Sequence, residues 1–160
     1  MHSNSEETMP KVGEIAPDFE LPNQDGTLVK LSSLRGKKVI LFAFPKADTP
    51  GCTTQACGFR DRFPQIEASG AVVLGISADS QKDLLKWKQK QNLPYDLLSD
   101  VDHKVLEAWD AWGEKSMYGK TYMGIIRSHW VIDETGKVLD EEIKISPEKS
   151  IEGAVKRVTG

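Results

Sequence analysis

Residues 37–58 read KKVILFAFPKADTPGCTTQACG. Val39 to Phe44 form an unbroken apolar run of strand length, the pattern of a central strand covered on both faces. Pro45 stops it. Past the Thr49-Pro50-Gly51 turn, Phe59, Phe63 and Ile66 recur at helical spacing, which predicts a helix from about Gly51 to Ala68, ended by Gly70. Pro64 lies inside that span and has to kink it or sit at a break. A second buried strand, AVVLGIS at 71–77, follows at once. Strand, helix, strand in that order implies a parallel pair and places the chain in the α/β class.

The flanking segments extend this unit. Upstream, PDFELPNQDGTLVKLSSL (17–34) reads as a small hairpin turning at Asn23-Gln24-Asp25-Gly26. Downstream, DSQKDLLKWKQKQNLP (79–94) is a helix, with Ser80 and Asp83 as a capping box and Leu84, Leu85 and Trp87 on its apolar side. YDLLSD (95–100) is a short strand and HKVLEAWDAW (103–112) a short helix. GEKSMYGKTYMG (113–124) is expected to be a loop. SHWVIDETGKVLDEEI (128–143) is a hairpin around Glu134-Thr135-Gly136, and SPEKSIEGAVKRV (146–158) a last helix with Ser146 as N-cap and Pro147 at N1. The order predicts a central mixed β-sheet flanked by helices, with an N-terminal β-hairpin. Residues 1–10 are expected to form a loose tail and 11–160 a single domain.

Composition agrees. At 160 residues, 39% hydrophobic and 28% charged, the chain can bury a full core as one soluble domain. A net charge of −3 without any basic block argues against nucleic acid. No apolar run approaches the ~18 residues a bilayer span needs. The polar N-terminus MHSNSEETMP lacks a signal-peptide core and a transit-peptide pattern, so a cytoplasmic address is expected. Thiols there stay reduced. Two cysteines, Cys52 and Cys57, are too few for a disulfide scaffold, and a close pair in that setting points to catalysis, redox or metal.

Cys52 falls at the start of the predicted helix, beyond the carboxyl end of a buried strand, where active sites gather in open α/β sheets. Free N–H groups and the positive end of the helix dipole stabilise an anion there, and the thiolate is the nucleophilic form of cysteine. The bland alternative is a packed structural thiol, since free cysteines are often buried. The spacing is informative as well. In a regular helix, positions i and i+5 lie ~8.6 Å apart between Cα atoms, on different faces. A disulfide needs Cα atoms within about 7 Å. The pair therefore cannot bond while the helix is intact; either it never does, or the first turns unwind. Thr53, Thr54 and Gly58 are poor helix formers, which makes unwinding cheap.

FPKADTPGCTTQACGFRD (44–61) closely resembles the active-site segment of the peroxiredoxins, in particular the peroxiredoxin Q or bacterioferritin comigratory protein group. Pro45, Thr49 and Cys52 match the family's Pro-x-x-x-Thr-x-x-Cys motif. VGEIAPDFELPNQDG (12–26) resembles the family's opening and KSMYGKTYMGIIRSHWVIDETGKV (115–138) its second active-site segment. One departure is His129-Trp130, where a small polar residue and a smaller aromatic are expected. The resemblance implies a thioredoxin-like fold and a thiol peroxidase acting on hydrogen peroxide and alkyl hydroperoxides. It implies Cys52 as the peroxidatic thiolate and Cys57 as the resolving thiol. Thr49 then hydrogen-bonds peroxide and thiolate, Arg127 stabilises the negative charge, and Pro45 shapes the pocket. It further implies a thioredoxin-like reductant, no metal or organic cofactor, and a monomer, since the resolving thiol lies in the same chain.

Other readings stay open on the residues alone. A protein dithiol–disulfide oxidoreductase would want Cys-x-x-Cys, a tighter spacing than this one. A redox-sensing or copper-binding module on the same fold would need a histidine well placed against the thiols, and His103 and His129 lack ligand spacing to them. Thr49 alone is an ordinary cap residue, and Arg127 alone an ordinary surface ion pair. Trp87, Trp109, Trp112 and Trp130 are expected in the core. Tyr118, Tyr122 and Met123 could line a substrate or partner surface.

Overall fold

The computed structural model describes residues 11–160; the expected tail, residues 1–10, lies outside the described residues. The quoted run is the middle strand, β3 (Val39–Ala43), buried at every position. It pairs in parallel with β4 (Val72–Ser77), which pairs in parallel with β5 (Asp96–Ser99). On its other side β3 meets β8 (Ser128–Ile132) antiparallel, and β8 meets β9 (Val138–Ile143) antiparallel. The five-stranded sheet therefore runs β5-β4-β3-β8-β9, mixed as expected.

Alternation along β3 divides the interior into two cores, because successive side chains point to opposite faces. Ile40, Phe42 and Phe44 join one cluster. This cluster is closed by α1 (Pro50–Asp61), α2 (Phe63–Ala68), α3 (Gln81–Gln91) and α5 (Pro147–Thr159). Val39, Leu41 and Ala43 join the other, with Leu106 of α4 (Lys104–Ala108) and with Phe19, Trp109 and Trp130. Trp87, Trp109 and Trp130 are fully buried as expected. Trp112 is only half-buried and stacks on His103 at 3.8 Å.

The N-terminal hairpin is present as β1 (Glu20–Pro22) and β2 (Leu28–Lys30). Asn23 Oδ1 accepts from the N–H groups of Asp25 and Thr27, which fixes the turn. Gln24, buried within that turn, accepts from the N–H of Leu97 through Oε1 at 2.9 Å. The hairpin thereby covers the open edge of β5, a position that would otherwise expose unpaired backbone.

The span expected to be helical from Gly51 to Ala68 is broken, one of the two outcomes Pro64 implied, into two helices that part at Arg62 (φ −94°, ψ 0°). Pro64 has no N–H to donate and sits in the first turn of α2, where none is needed. The segment expected to be a loop is a hairpin, β6 (Trp112–Met117) with β7 (Lys120–Ile125). Its two-residue turn, Tyr118-Gly119, has positive φ at both positions, 53° and 78°. That is the backbone a right-handed hairpin twist prefers. The strand begins at Trp112, so the preceding helix is shorter than expected and stops at Ala108.

Helix α1 lies against α5 with unusually little room. A Cβ on Gly58 would collide with Ile151 Cδ1. Gly58→Ala should therefore destabilise by about 1–3 kcal/mol through overpacking, although alanine is the better helix former by about 1 kcal/mol. Ile151→Val, which removes the methyl at closest approach, should recover part of the loss. The denaturant midpoint at constant slope reads both effects.

Candidate active site

Strand β3 delivers the chain to the loop from Phe44 to Thr49, and that loop is tied down before the helix starts. The N–H of Ala47 donates to Asp79 Oδ2 at 2.8 Å, and Ser77 Oγ donates to the same oxygen at 2.8 Å. Asp48 takes a left-handed conformation (φ 62°) and pairs with Lys90 at 3.0 Å on the exposed side. Thr49 is the N-cap of α1 by position. Its hydroxyl does not cap; it donates to the carbonyl of Lys46 at 2.7 Å. The oxygen's lone pairs therefore remain available as acceptors.

Cys52 follows in the first turn of α1 and is almost completely buried, at 1% exposure. Arg127, two residues past the end of β7, reaches over it. Its Nη2 donates to Cys52 Sγ at 3.5 Å, and its Nη1 donates to Gln55 Oε1 at 2.8 Å. A permanent cation and the helix N-terminus thus both face one sulfur, and each stabilises negative charge on it. Gly51 makes the approach possible, since a Cβ there would lie 2.9 Å from Arg127 Nη2. The guanidinium also borders an open cleft lined by Pro45, Lys115, Ile126, Ile145 and Ser146. Lys115 donates to the carbonyl of Ile125. Burial and the neighbouring Arg127 pull its ammonium below the usual lysine range.

The structure thus gathers Cys52, Arg127 and Pro45 at one place, with Thr49 at the helix entrance. Cys57 stands apart. Helix α1 is continuous through both cysteines, both thiols are free, and Cys57 is half-buried, donating to Gln91 Oε1 at 3.4 Å. Burial pushes the Cys57 thiol up. Four further side-chain hydrogen bonds hold α1 between Thr53 and Arg60. Trp87 Nε1 donates to Thr53 Oγ1 at 3.3 Å, and the Tyr95 hydroxyl to the carbonyl of Ala56 at 2.7 Å. Thr54 Oγ1 donates to the carbonyl of Pro50, and Arg60 Nη1 to that of Gln91.

Sequence reasoning gave no role to Gln55, Gly51, Lys115, Trp87 or Tyr95. Gln55 carried a signal, because three residues past Cys52 it shares that helix face. The others depend on partners remote in sequence.

Comparison with known proteins fits this geometry. The AhpC/TSA family model matches residues 12–140. The chain belongs to that family, and its fold is thioredoxin-like, as the resemblance implied. Within the family it is similar over nearly its whole length to peroxiredoxins of the Bcp and Q group. A putative peroxiredoxin bcp of Coxiella burnetii is 47% identical over 94% of this chain and 97% of its own. Peroxiredoxin Bcp of Escherichia coli is 49% identical over 80% and 82%. A structure of the Xanthomonas campestris bacterioferritin comigratory protein superposes with a TM-score of 0.82 at 31% identity, covering 88% of this chain and 89% of that one. The protein is an enzyme, a peroxiredoxin, and its class activity is thiol peroxidase.

Gly51→Ala should push the guanidinium away from the sulfur. The second-order rate constant for hydrogen peroxide should fall by at least about tenfold, part of the roughly 10²–10³ that losing one well-aimed donor outright costs, without a lower thermal midpoint. Stopped-flow fluorescence and a melting curve check the two halves of that statement.

Proposed function

We propose that Cys52 is the peroxidatic thiol and Cys57 the resolving thiol of a monomeric, thioredoxin-dependent peroxidase. The observation that carries the reading is the Arg127 guanidinium 3.5 Å from a buried Cys52 sulfur at a helix N-terminus. The Cys52 thiolate attacks one peroxide oxygen, and the O–O bond breaks. Its electron pair leaves on the second oxygen, which takes up a proton as water or alcohol. The sulfur is oxidised by two electrons to a sulfenic acid. Arg127 stabilises the charge that moves from sulfur to the departing oxygen. The Thr49 oxygen, with its own proton committed to Lys46, accepts the hydrogen of the incoming peroxide. Pro45, Ile126 and Ile145 supply the apolar part of the cleft wall.

Resolution requires α1 to open. Breaking the hydrogen bonds that hold residues 52–57, those of Gln55 and Cys57 included, releases Cys57, whose thiolate attacks the Cys52 sulfur. An S–S bond forms and the sulfenic oxygen leaves as water. A thioredoxin-like dithiol then reduces the disulfide by exchange. Since both sulfurs belong to one chain, no second copy is needed. Hydrogen peroxide and alkyl hydroperoxides are the proposed substrates, and alkyl peroxide reduction is the activity named for the Xanthomonas campestris relative. A cytoplasmic location, with its reduced thiol pool, suits this cycle.

Peroxide titration with mass spectrometry tests the assignment. Cys52→Ser should abolish peroxide consumption. Cys57→Ser should complete one turnover, accumulate sulfenic acid at Cys52, and fail to recycle with thioredoxin. Normal steady-state turnover by the second variant would remove Cys57 from the resolving role. A pH dependence follows as well. In the folded helix Cys57 is raised above its ordinary value, so its protonated form favours the closed state. That preference is full below the ordinary thiol range of about 8.5 and fades as pH rises through the folded value. The opened thiol ionises first, so disulfide formation at saturating peroxide should accelerate from about pH 7 to 9. A pH-independent rate of disulfide formation, followed by quenched-flow alkylation, would contradict this.

A further inference from the structure

Behind Gln55 a line of buried polar groups runs away from the active site. Gln55 Nε2 donates to Ser150 Oγ at 3.0 Å. Ser150 Oγ lies 2.9 Å from His129 Nδ1, and His129 Nε2 lies 2.9 Å from Asp140 Oδ2. Gln55, Ser150 and His129 are completely buried and Asp140 is 7% exposed. Arg157 Nη2 stands 3.8 Å from the other Asp140 oxygen, at the surface. The residues come from α1, α5, β8 and β9, so nothing local in the chain assembles them.

For a neutral imidazole the hydrogen-bond directions along this line follow from one end. A carboxylate oxygen accepts only, so the proton of that neutral ring sits on Nε2 and a lone pair is presented at Nδ1. The Ser150 hydroxyl must then donate to Nδ1, leaving its oxygen to accept. Gln55 can meet that oxygen only with its NH2 group, which turns its carbonyl oxygen toward Arg127. With the amide reversed, NH2 would face a guanidinium and neither donor would be satisfied. We propose that Asp140, His129 and Ser150 are positioning residues that, through Gln55, aim the Arg127 guanidinium at Cys52. This is the outer-partner logic that fixes a histidine tautomer behind a ligand, applied to an arginine. The inference rests on Cys52 as the reacting thiol. Loss of peroxide consumption in Cys52→Ser tests that assignment separately.

The experiment uses Cys57→Ser protein, in which only oxidation of Cys52 is read. Ser150→Ala and Asp140→Ala each break one link. With Arg127 present, each should lower the hydrogen peroxide rate constant about tenfold. In an Arg127→Met background, each should change it by less than about twofold, because the links act only through Arg127. Asp140→Asn keeps an acceptor for His129 Nε2–H and should retain the rate to within about threefold. Equal losses in both backgrounds, no loss with Arg127 present, or Asp140→Asn as slow as Asp140→Ala would each overturn the proposal. A measurement that leaves the relay intact guards against misfolded variants. The His129 imidazole nitrogen resonances should show a proton on Nε2 and should shift in Arg127→Met. A proton on Nδ1 alone, or resonances unmoved by Arg127→Met, would overturn it as well.

Discussion

The Arg127 guanidinium next to the Cys52 sulfur is the contact that the rest of the site is built to permit. A guanidinium can form several hydrogen bonds in one plane, and a misplaced one is worth little. Here one nitrogen faces the sulfur and the other faces Gln55. The plane is thus held by two partners from the same helix, three residues apart. Gly51 leaves the space. The carbonyl of Arg127 accepts from the N–H of Ile145, which ties the residue to the start of α5. A charge carried on the residue just ahead of β8 is in this way locked to a sulfur brought in by β3 and α1.

In the proposed cycle the same helix that makes this contact has to release it. Disulfide formation needs the turns between Cys52 and Cys57 to unwind, and Gln55 lies inside them. The side-chain hydrogen bonds that hold those turns are each worth about 0.5–1.5 kcal/mol net against opening. Helix formers of low propensity at Thr53, Thr54 and Gly58 work in the other direction. The opposition keeps the thiolate site assembled most of the time yet leaves resolution reachable.

Much of the fold was legible because its main signals are local. The β3 run, the Ser80 and Ser146 caps and the 128–143 hairpin follow from composition and spacing within a few residues. The β6–β7 hairpin was not legible, because both its faces are largely exposed. Without a buried face there is no apolar alternation to read, and only the Tyr118-Gly119 turn betrays it. The site divides in the same manner. Cys52, Cys57, Thr49 and Pro45 share one motif and were readable together. Arg127 was readable through the resemblance. The latches from Trp87 and Tyr95 are set by tertiary packing, since a tryptophan or tyrosine at an apolar position gives no hint of where its polar tip points.

His129 shows how a residue can be noticed and still not understood from sequence. It stands out as a larger, basic side chain where a small polar one is expected, and the sequence gives it no role beyond that. In the structure it faces away from the cleft, between Ser150 and Asp140. A buried imidazole is costly unless both nitrogens are satisfied, and here one carboxylate and one hydroxyl satisfy them. The consequence reaches the reacting sulfur only through Gln55, the one residue that belongs both to the relay and to the segment that unwinds. Opening α1 therefore withdraws Gln55 from Arg127 and from Ser150 in a single event. In the proposed cycle, the charge that favours the thiolate loses its anchor at the step where Cys52 has become the electrophile and no longer needs it, and rewinding after reduction restores both contacts together.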